Sequence, residues 1–213
     1  MYQYTYDLRL GQVDDLKRCL QVAVNRLHLS GDPEADGLLE QSPLALLIGM
    51  VLDQQIPMER AFSAPLMLKN RISVPLEAAA IVNLPPEELE SAFSSKPALH
   101  RFPKAMAERV WGLCEIVSEA YDGDASQIWQ TALSGEELLD RLEGLPGFGT
   151  MKAKIFLALL AKRLGVRPAG WEAAADPFGQ PGTFMSVADV DGPDGLAKVR
   201  AYKAEMKAAK VPH

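Results

Sequence analysis

The residues with the clearest chemical potential are Leu145-Pro146-Gly147-Phe148-Gly149, set between a leucine-spaced run at 136–142 and an apolar run at 153–164. Pro146 closes off the first helix, and the two glycines allow positive φ and a close backbone approach. A second helix opening just after such a turn points its first amides outward. Those amides have no intrahelical acceptor, so together with the helix dipole they can bind an anion without a basic side chain. The segment reads as two helices joined by a phosphate-gripping hairpin. An ordinary corner, in which Leu-Pro-Gly merely ends one helix and starts another, would use the same five residues. The composition downstream favours the anion reading: from 150 to 167 there are five basic residues, Lys152, Lys154, Lys162, Arg163 and Arg167, and no acid. They predict a locally positive surface for a nucleic-acid backbone.

The elements that must position this hairpin are helical, and no convincing alternating strand is present, so the fold class is all-α. Residues 2–6 alternate only briefly and read as an irregular arm. Leu16, Leu20, Val24 and Leu27 form a helical stripe within 14–29. Ser42-Pro43 is a cap followed by proline at the first helical position, opening an apolar helix expected to run to Gln55, with Pro57 interrupting it and a second helix reaching about Asn70. A helix start at 83–88 has acids in its first turn. Met106, Val110, Leu113 and Val117 lie at helical spacing within 104–121. Asp124-x-x-Gln127 and Ser134-x-x-Glu137 read as capping boxes. The second hairpin helix should bury Ala153, Phe156, Leu157, Leu160 and Leu164. Residues 165–183 are loop-like, and 193–210 read as a basic C-terminal helix.

At 213 residues, 48% hydrophobic and 23% charged, the chain can bury a substantial core. No apolar run has membrane-spanning length and residues 1–9 lack a signal pattern, which predicts a cytoplasmic protein. Cys19 and Cys114 lie far apart without a Cys-x-x-Cys pair, arguing against a disulfide framework, zinc or an iron–sulfur cluster and for small core residues. His28, His100 and His213 are scattered, so no catalytic metal is expected. The net charge of -6 counts against DNA binding, which relies on neutralising phosphates. The charges are segregated, however: acids gather at 32–40, 87–90, 115–124 and 136–143, bases at 96–104, 152–167 and 198–210.

The apolar helix ending in Leu52-Asp53-Gln54-Gln55, taken with the Leu-Pro-Gly-x-Gly hairpin, resembles the base-excision DNA glycosylases of the helix-hairpin-helix-GPD superfamily over about residues 42–164, with a weaker tail. The basic loop and helix at 96–117 fit the same pattern. The resemblance implies two helical lobes flanking a groove: an arm and helix at 1–41 packing with the C-terminal lobe, a helical barrel lobe at 42–133, and a hairpin lobe at 134–213. The implied partner is double-stranded DNA carrying a damaged base, bound by a monomer.

A glycosylase must flip its target nucleotide, at a cost of a few kcal/mol, and fill the gap left behind. Gln54 or Gln55 suits that task because an amide can both wedge and hydrogen-bond, and Gln55 is the favoured wedge; a helix-end residue that merely caps its neighbours is the alternative. The resemblance implies that amides near Gly147, Gly149, Thr150 and Met151 face phosphate, and that the carbonyls of Glu143, Leu145 and Phe148 hold a monovalent cation, sodium or potassium. Lys152 and Lys154 are expected to reach phosphate. The family's strand-cleaving lysine corresponds to Met151, which implies a monofunctional enzyme without lyase activity.

The reaction also needs a carboxylate near the sugar. The window where the family places its aspartate falls on Ala169, Gly170 and Trp171, none of them acidic. Glu172, Asp176 and Asp189 are the nearest candidates. Asp189 is attractive because it sits among apolar residues just before the last helix, which makes 165–183 an insertion; each acid could equally be a cap or a solvated loop residue. Trp171, Phe178 and Phe102 are candidates for stacking on the flipped base, whereas Trp111 reads as core. Two further readings stay open: a DNA-binding protein that retains the glycosylase fold without its chemistry, and an all-α protein-interaction module.

Overall fold

The computed structural model describes residues 27–209, and among them the chain is predominantly helical, with no strand and one isolated bridge between Ser134 and Ala169. Two capped helices open it. Asp32 accepts the Glu34 amide at 2.9 Å ahead of α1 (Pro33–Gln41), and Ser42 Oγ accepts the Ala45 amide at 3.2 Å ahead of α2 (Pro43–Leu52). All of Leu44 to Leu52 is buried, as befits a helix apolar on every side. This central helix packs against α1, α3 (Met58–Lys69) and the long helix at 103–120.

The expectation that α2 continues to Gln55 is corrected. It stops at Leu52, where Asp53 takes a non-helical conformation, the Gln54 amide turns back to Leu52 O at 2.7 Å, and Gln55 has φ +55°. Pro57 supplies the reason, since it pushes Ile56 out of the helical region and the chain must turn before it.

Next come α4 (Ala78–Val82), α5 (Pro86–Ser94) and α6 (Pro103–Ala120). The start of α5 carries Glu87 and Glu88 as expected, and α6 buries Met106, Val110, Leu113 and Val117. Cys114 is buried too, its thiol pushed up to about 12 by burial, while Cys19 lies outside the described residues. The short α4 has no counterpart in the sequence expectations. The Asp124 capping box is corrected: its carboxylate accepts the Ser126 amide at 2.9 Å, and α7 (Gln127–Gln130) starts one residue later, with Gln127 itself as first helical residue. The second box half-forms. Ser134 Oγ accepts the Glu137 amide at 3.1 Å ahead of α8 (Gly135–Glu143), but Glu137 reaches the Leu133 amide instead of the cap's own.

The hairpin then leads into α9 (Thr150–Arg163), α10 (Trp171–Ala174), a 3-10 turn (Val187–Asp189) and α11 (Pro193–Ala209). Ala153, Phe156, Leu157 and Leu160 are buried as expected, whereas Leu164 falls at the end of α9 and is only partly covered. Phe156 meets Trp129 and Phe148 edge-on, at centroid distances of 6.0 and 5.7 Å, tying α7 and the hairpin to α9. The 2–6 arm and most of the 14–29 stripe lie outside the described residues; Leu27 and Leu29, at its end, are buried but not helical. No single described helix is long and apolar enough to cross a membrane.

Candidate nucleic-acid interface

The two hairpin glycines do different jobs. Gly147 has φ +84°, and a Cβ there would stand 3.5 Å from Val51 Cγ1 and 3.6 Å from Arg109 Cδ, so the turn lies against the end of α2 and the side of α6. Gly149 corrects the expectation of positive φ at both: it is extended, with φ -94°, and nothing stands within 4 Å of an added Cβ. The turn is anchored by buried Leu145 and Phe148, whose backbones join through the Phe148 amide and Leu145 O at 3.0 Å. As N-cap of α9, Gly149 offers no side chain to the first-turn amides, and Gly149, Thr150 and Met151 are exposed, Met151 at 68%. Because α8 ends at Glu143, the carbonyls of Glu143 and Leu145 lie at the negative end of that helix, where a cation is favoured.

Directly behind this open turn sits Lys152. Its ammonium donates to Met50 O at 2.8 Å and Val51 O at 3.0 Å, two carbonyls of the last turn of α2. The expectation that it reaches phosphate is therefore corrected, because the orphan carbonyls of a helix that stops early draw it inward. Burial pushes the amine down to about 8; the Asp53 carboxylate opposes that shift and the Arg109 guanidinium adds to it. Asp53 mirrors this: burial raises its carboxyl above the usual range, against the pull of Lys203 and Lys152. For both groups burial outweighs the attraction between them.

Gln54 is fully engaged. Its Nε2 donates to Val51 O at 2.9 Å and contacts Met106 Sδ at 3.4 Å, its Oε1 accepts from Arg109 Nη1 at 3.0 Å, and its carbonyl accepts from His100 Nε2 at 2.8 Å. His100 Nδ1 accepts the Phe102 amide at 3.1 Å, which leaves the proton on Nε2, and burial holds this ring below the usual histidine range. By contrast Gln55 is exposed. Phe102 is 44% exposed, with the Arg101 guanidinium 4.8 Å over its ring.

The other basic residues of α9 and its exit are also engaged by backbone carbonyls, although Arg167 stays exposed. Lys154 donates to Asp176 O at 3.1 Å, Lys162 to Gln180 O at 2.8 Å, Arg163 to Ala188 O at 2.9 Å and Arg167 to Ala161 O at 3.1 Å. The last turn of α9 and the loop-rich stretch after it have carbonyls without helical partners, and long cationic side chains satisfy them.

Asp189 is likewise bound within the fold. Its Oδ1 meets Lys162 Nζ at 2.6 Å and Thr183 Oγ1 at 3.3 Å, and its Oδ2 accepts the Met185 and Ser186 amides at 2.9 and 3.1 Å, completing a capping box with Ser186. Lys162 sits twelve residues after Thr150, about 18 Å along the helix axis. Trp171 and Glu172 share with Asp189 a cavity of about 430 Å³ at that far end. Trp171 is buried, its backbone crowding Gly135, and Phe178 is half-buried against the core. Asp176 lies nearer the hairpin, beside Lys154, and its exposed carboxylate accepts from Gln180 Nε2 at 3.2 Å.

The structure thus brings Gln54, Gln55, Gly147, Gly149, Lys152 and Phe102 to one end of α9, and Asp189, Glu172 and Trp171 to the other. The sequence reading missed Asp53, His100 and Arg109. Asp53 carried a signal, being the one acid at the end of a wholly apolar helix; His100 and Arg109 join the site only through contacts distant in sequence. No protein-family model matches the chain, and no curated protein or solved structure matches it, so geometry and chemistry alone carry the functional argument.

Proposed function

We propose that the protein binds double-stranded DNA at the hairpin end of α9 and acts there as a monofunctional DNA glycosylase, with α8 to α11 forming a hairpin lobe against a helical lobe built from α2 to α7. The observation that carries this reading is the exposed, glycine-capped first turn of α9, packed through Gly147 and Lys152 against Val51 at the end of α2, four residues ahead of the exposed Gln55. Free amides at a helix N-terminus suit a phosphate, and the open Gly149 lets the backbone come close to it. Gln55 is the wedge for the gap left by the flipped nucleotide, and the engaged Gln54 holds the loop that carries it. A sodium or potassium ion on the carbonyls of Glu143, Leu145 and Phe148 would bridge the turn to phosphate. Met151 offers no amine to the sugar, so the reaction is hydrolysis of the N-glycosidic bond without strand cleavage.

One observation favours a second reading, DNA binding without chemistry: Asp189, the preferred acid of the sequence, has both carboxylate oxygens occupied inside the fold. A single experiment separates the readings. The protein is titrated with duplexes carrying 7-methylguanine, uracil or 8-oxoguanine across a salt series, then assayed for alkali-labile sites. Affinity falling linearly with log salt, with base release from at least one duplex, supports the glycosylase. Binding without release on any lesion favours the second reading. Absence of salt-dependent binding rejects both and leaves a protein-interaction module.

A further inference from the structure

Building on the glycosylase reading, we infer that Asp53 is the carboxylate that serves base release, and that the cavity into which it opens receives the extruded base. This cavity lies between the α2–α3 loop and α11 and measures about 340 Å³, within the range of roughly 300–1,000 Å³ typical of small-molecule sites. Ile56 and Val199 supply apolar wall; Asp53, Lys203 and the ion-paired Glu59 and Arg200 supply the polar side. Only Gln54 separates Asp53 from Gln55, at most about 7 Å along the chain, so a nucleotide displaced by Gln55 would leave the stack next to Asp53. Among the carboxylates considered, Asp189 and Glu172 stand at the far end of α9, and Asp189 is fully bonded. Asp53 instead faces cations from separate elements: Lys152 on α9, with Arg109 of α6 behind it, and Lys203 on α11.

The step balances without a further reactant. A water oxygen bonds to the sugar C1′, the C1′–N bond breaks, its electron pair leaves with the base, and the water proton passes to the Asp53 carboxylate and on to solvent. A base made cationic by alkylation leaves neutral; any other takes a proton from solvent. Lys152 is a positioning residue, held by the Met50 and Val51 carbonyls where its charge favours the ionised form of Asp53. Asp53 must be ionised to accept the proton, so release should fail as pH drops through its raised range.

The test uses the full chain on whichever of the three lesion duplexes the wild type processes. Asp53→Asn should lower the single-turnover rate of base release about 10²–10⁴-fold, with duplex affinity nearly unchanged; Asp53→Glu should recover part of the rate. Wild-type rates in Asp53→Asn overturn the assignment while leaving the glycosylase reading intact, whereas a wild type that binds every duplex and releases no base overturns both. Ile56→Trp, which fills the cavity, should abolish release and spare binding; unchanged release overturns the pocket. Should Asp53→Asn not fold, the acid limb of the pH–rate profile decides: Lys152→Met should move it to higher pH, and an unmoved limb overturns the assignment.

Discussion

The two ends of α9 use lysine in opposite ways. At the far end Lys162 meets Asp189 at 2.6 Å, and Thr183 and two backbone amides occupy the remaining carboxylate positions. At the hairpin end Lys152 is drawn onto two carbonyls, Asp53 is raised by burial, and the adjoining helix start has no side-chain cap. At the far end the buried lysine and carboxylate answer each other. The hairpin end leaves donors and charges that a ligand can still improve. A satisfied ion pair is glue for a loop-rich segment, while groups displaced from their usual ionisation beside open amides mark a place for chemistry.

The sharpest way to break this contrast is Asp189→Ala. It strands a lysine ammonium and two amides in a mostly buried setting, so unfolding free energy from urea titration should fall by about 3–5 kcal/mol. Asp53→Ala should cost far less stability, because its carboxylate gains little from being charged there. A stable Asp189→Ala variant that had lost base release would reverse the roles of the two ends.

Next in size is a pH effect carried by Lys152. Its amine titrates at about 8 in the folded chain against 10.5 ordinarily, so between those values the unfolded chain holds a proton that the folded one lacks. Stability therefore rises with pH across that window, by roughly 2 kcal/mol once solvent screening is discounted. Urea midpoints measured at pH 7.5 and 10 should separate in the wild type and converge in Lys152→Met. An unchanged gap in the variant would mean that another group carries the effect.

Why the sequence showed one end more clearly than the other is a matter of range. The Ser42 and Ser134 caps, the proline helix starts and the burial of Phe156 and Leu160 depend on neighbours within a turn, and such short-range chemistry is visible in the chain itself. The turn between α8 and α9 is legible for the same reason. The direction of long side chains is not. Lys152 to Arg167 form a basic cluster along the chain, yet Lys152, Lys154, Lys162 and Arg163 each reach a carbonyl set by tertiary packing, Lys152 across 102 residues to Met50. The early stop of α2 is equally hidden, because an apolar pattern says nothing of where Asp53 leaves the helix, and it is that stop that exposes Gln55. Without the stop, Asp53 reads as an ordinary helix-end residue, and the candidate carboxylates all fall in the segment beyond α9.

The two hairpin glycines give a smaller effect that divides folding from binding. Gly147→Ala puts a Cβ in the left-handed region and should cost about 1–2 kcal/mol in thermal or urea unfolding. Gly149→Ala meets no atom within 4 Å and has an ordinary φ, so stability should stay near wild type. On the proposed DNA-binding reading duplex affinity should nonetheless drop in both, since a methyl at Gly149 would stand in the path of a phosphate approaching the amides. Full affinity in Gly149→Ala would remove the turn from the interface and shift attention back to the far end.

The smallest effect belongs to His100, which ties the Gln54 backbone to the segment leading into α6. Its neutral ring donates from Nε2 to the Gln54 carbonyl and accepts the Phe102 amide at Nδ1, an arrangement that protonation breaks. The folded-state value lies below the usual 6.5, so as pH falls below 6.5 the unfolded chain takes up a proton first and stability declines, by no more than about 1.4 kcal/mol per pH unit. Glutamine can reproduce both hydrogen bonds without titrating. His100→Gln should match the wild type at pH 7 and lose part of the decline seen between pH 6.5 and 5, when urea midpoints of the two are compared. Because the same carbonyl fixes the backbone ahead of Gln55, the wild type should also lose duplex affinity over that acidic range more steeply than His100→Gln. Parallel declines would show that the ring supports packing alone, and that the position of the wedge is set elsewhere.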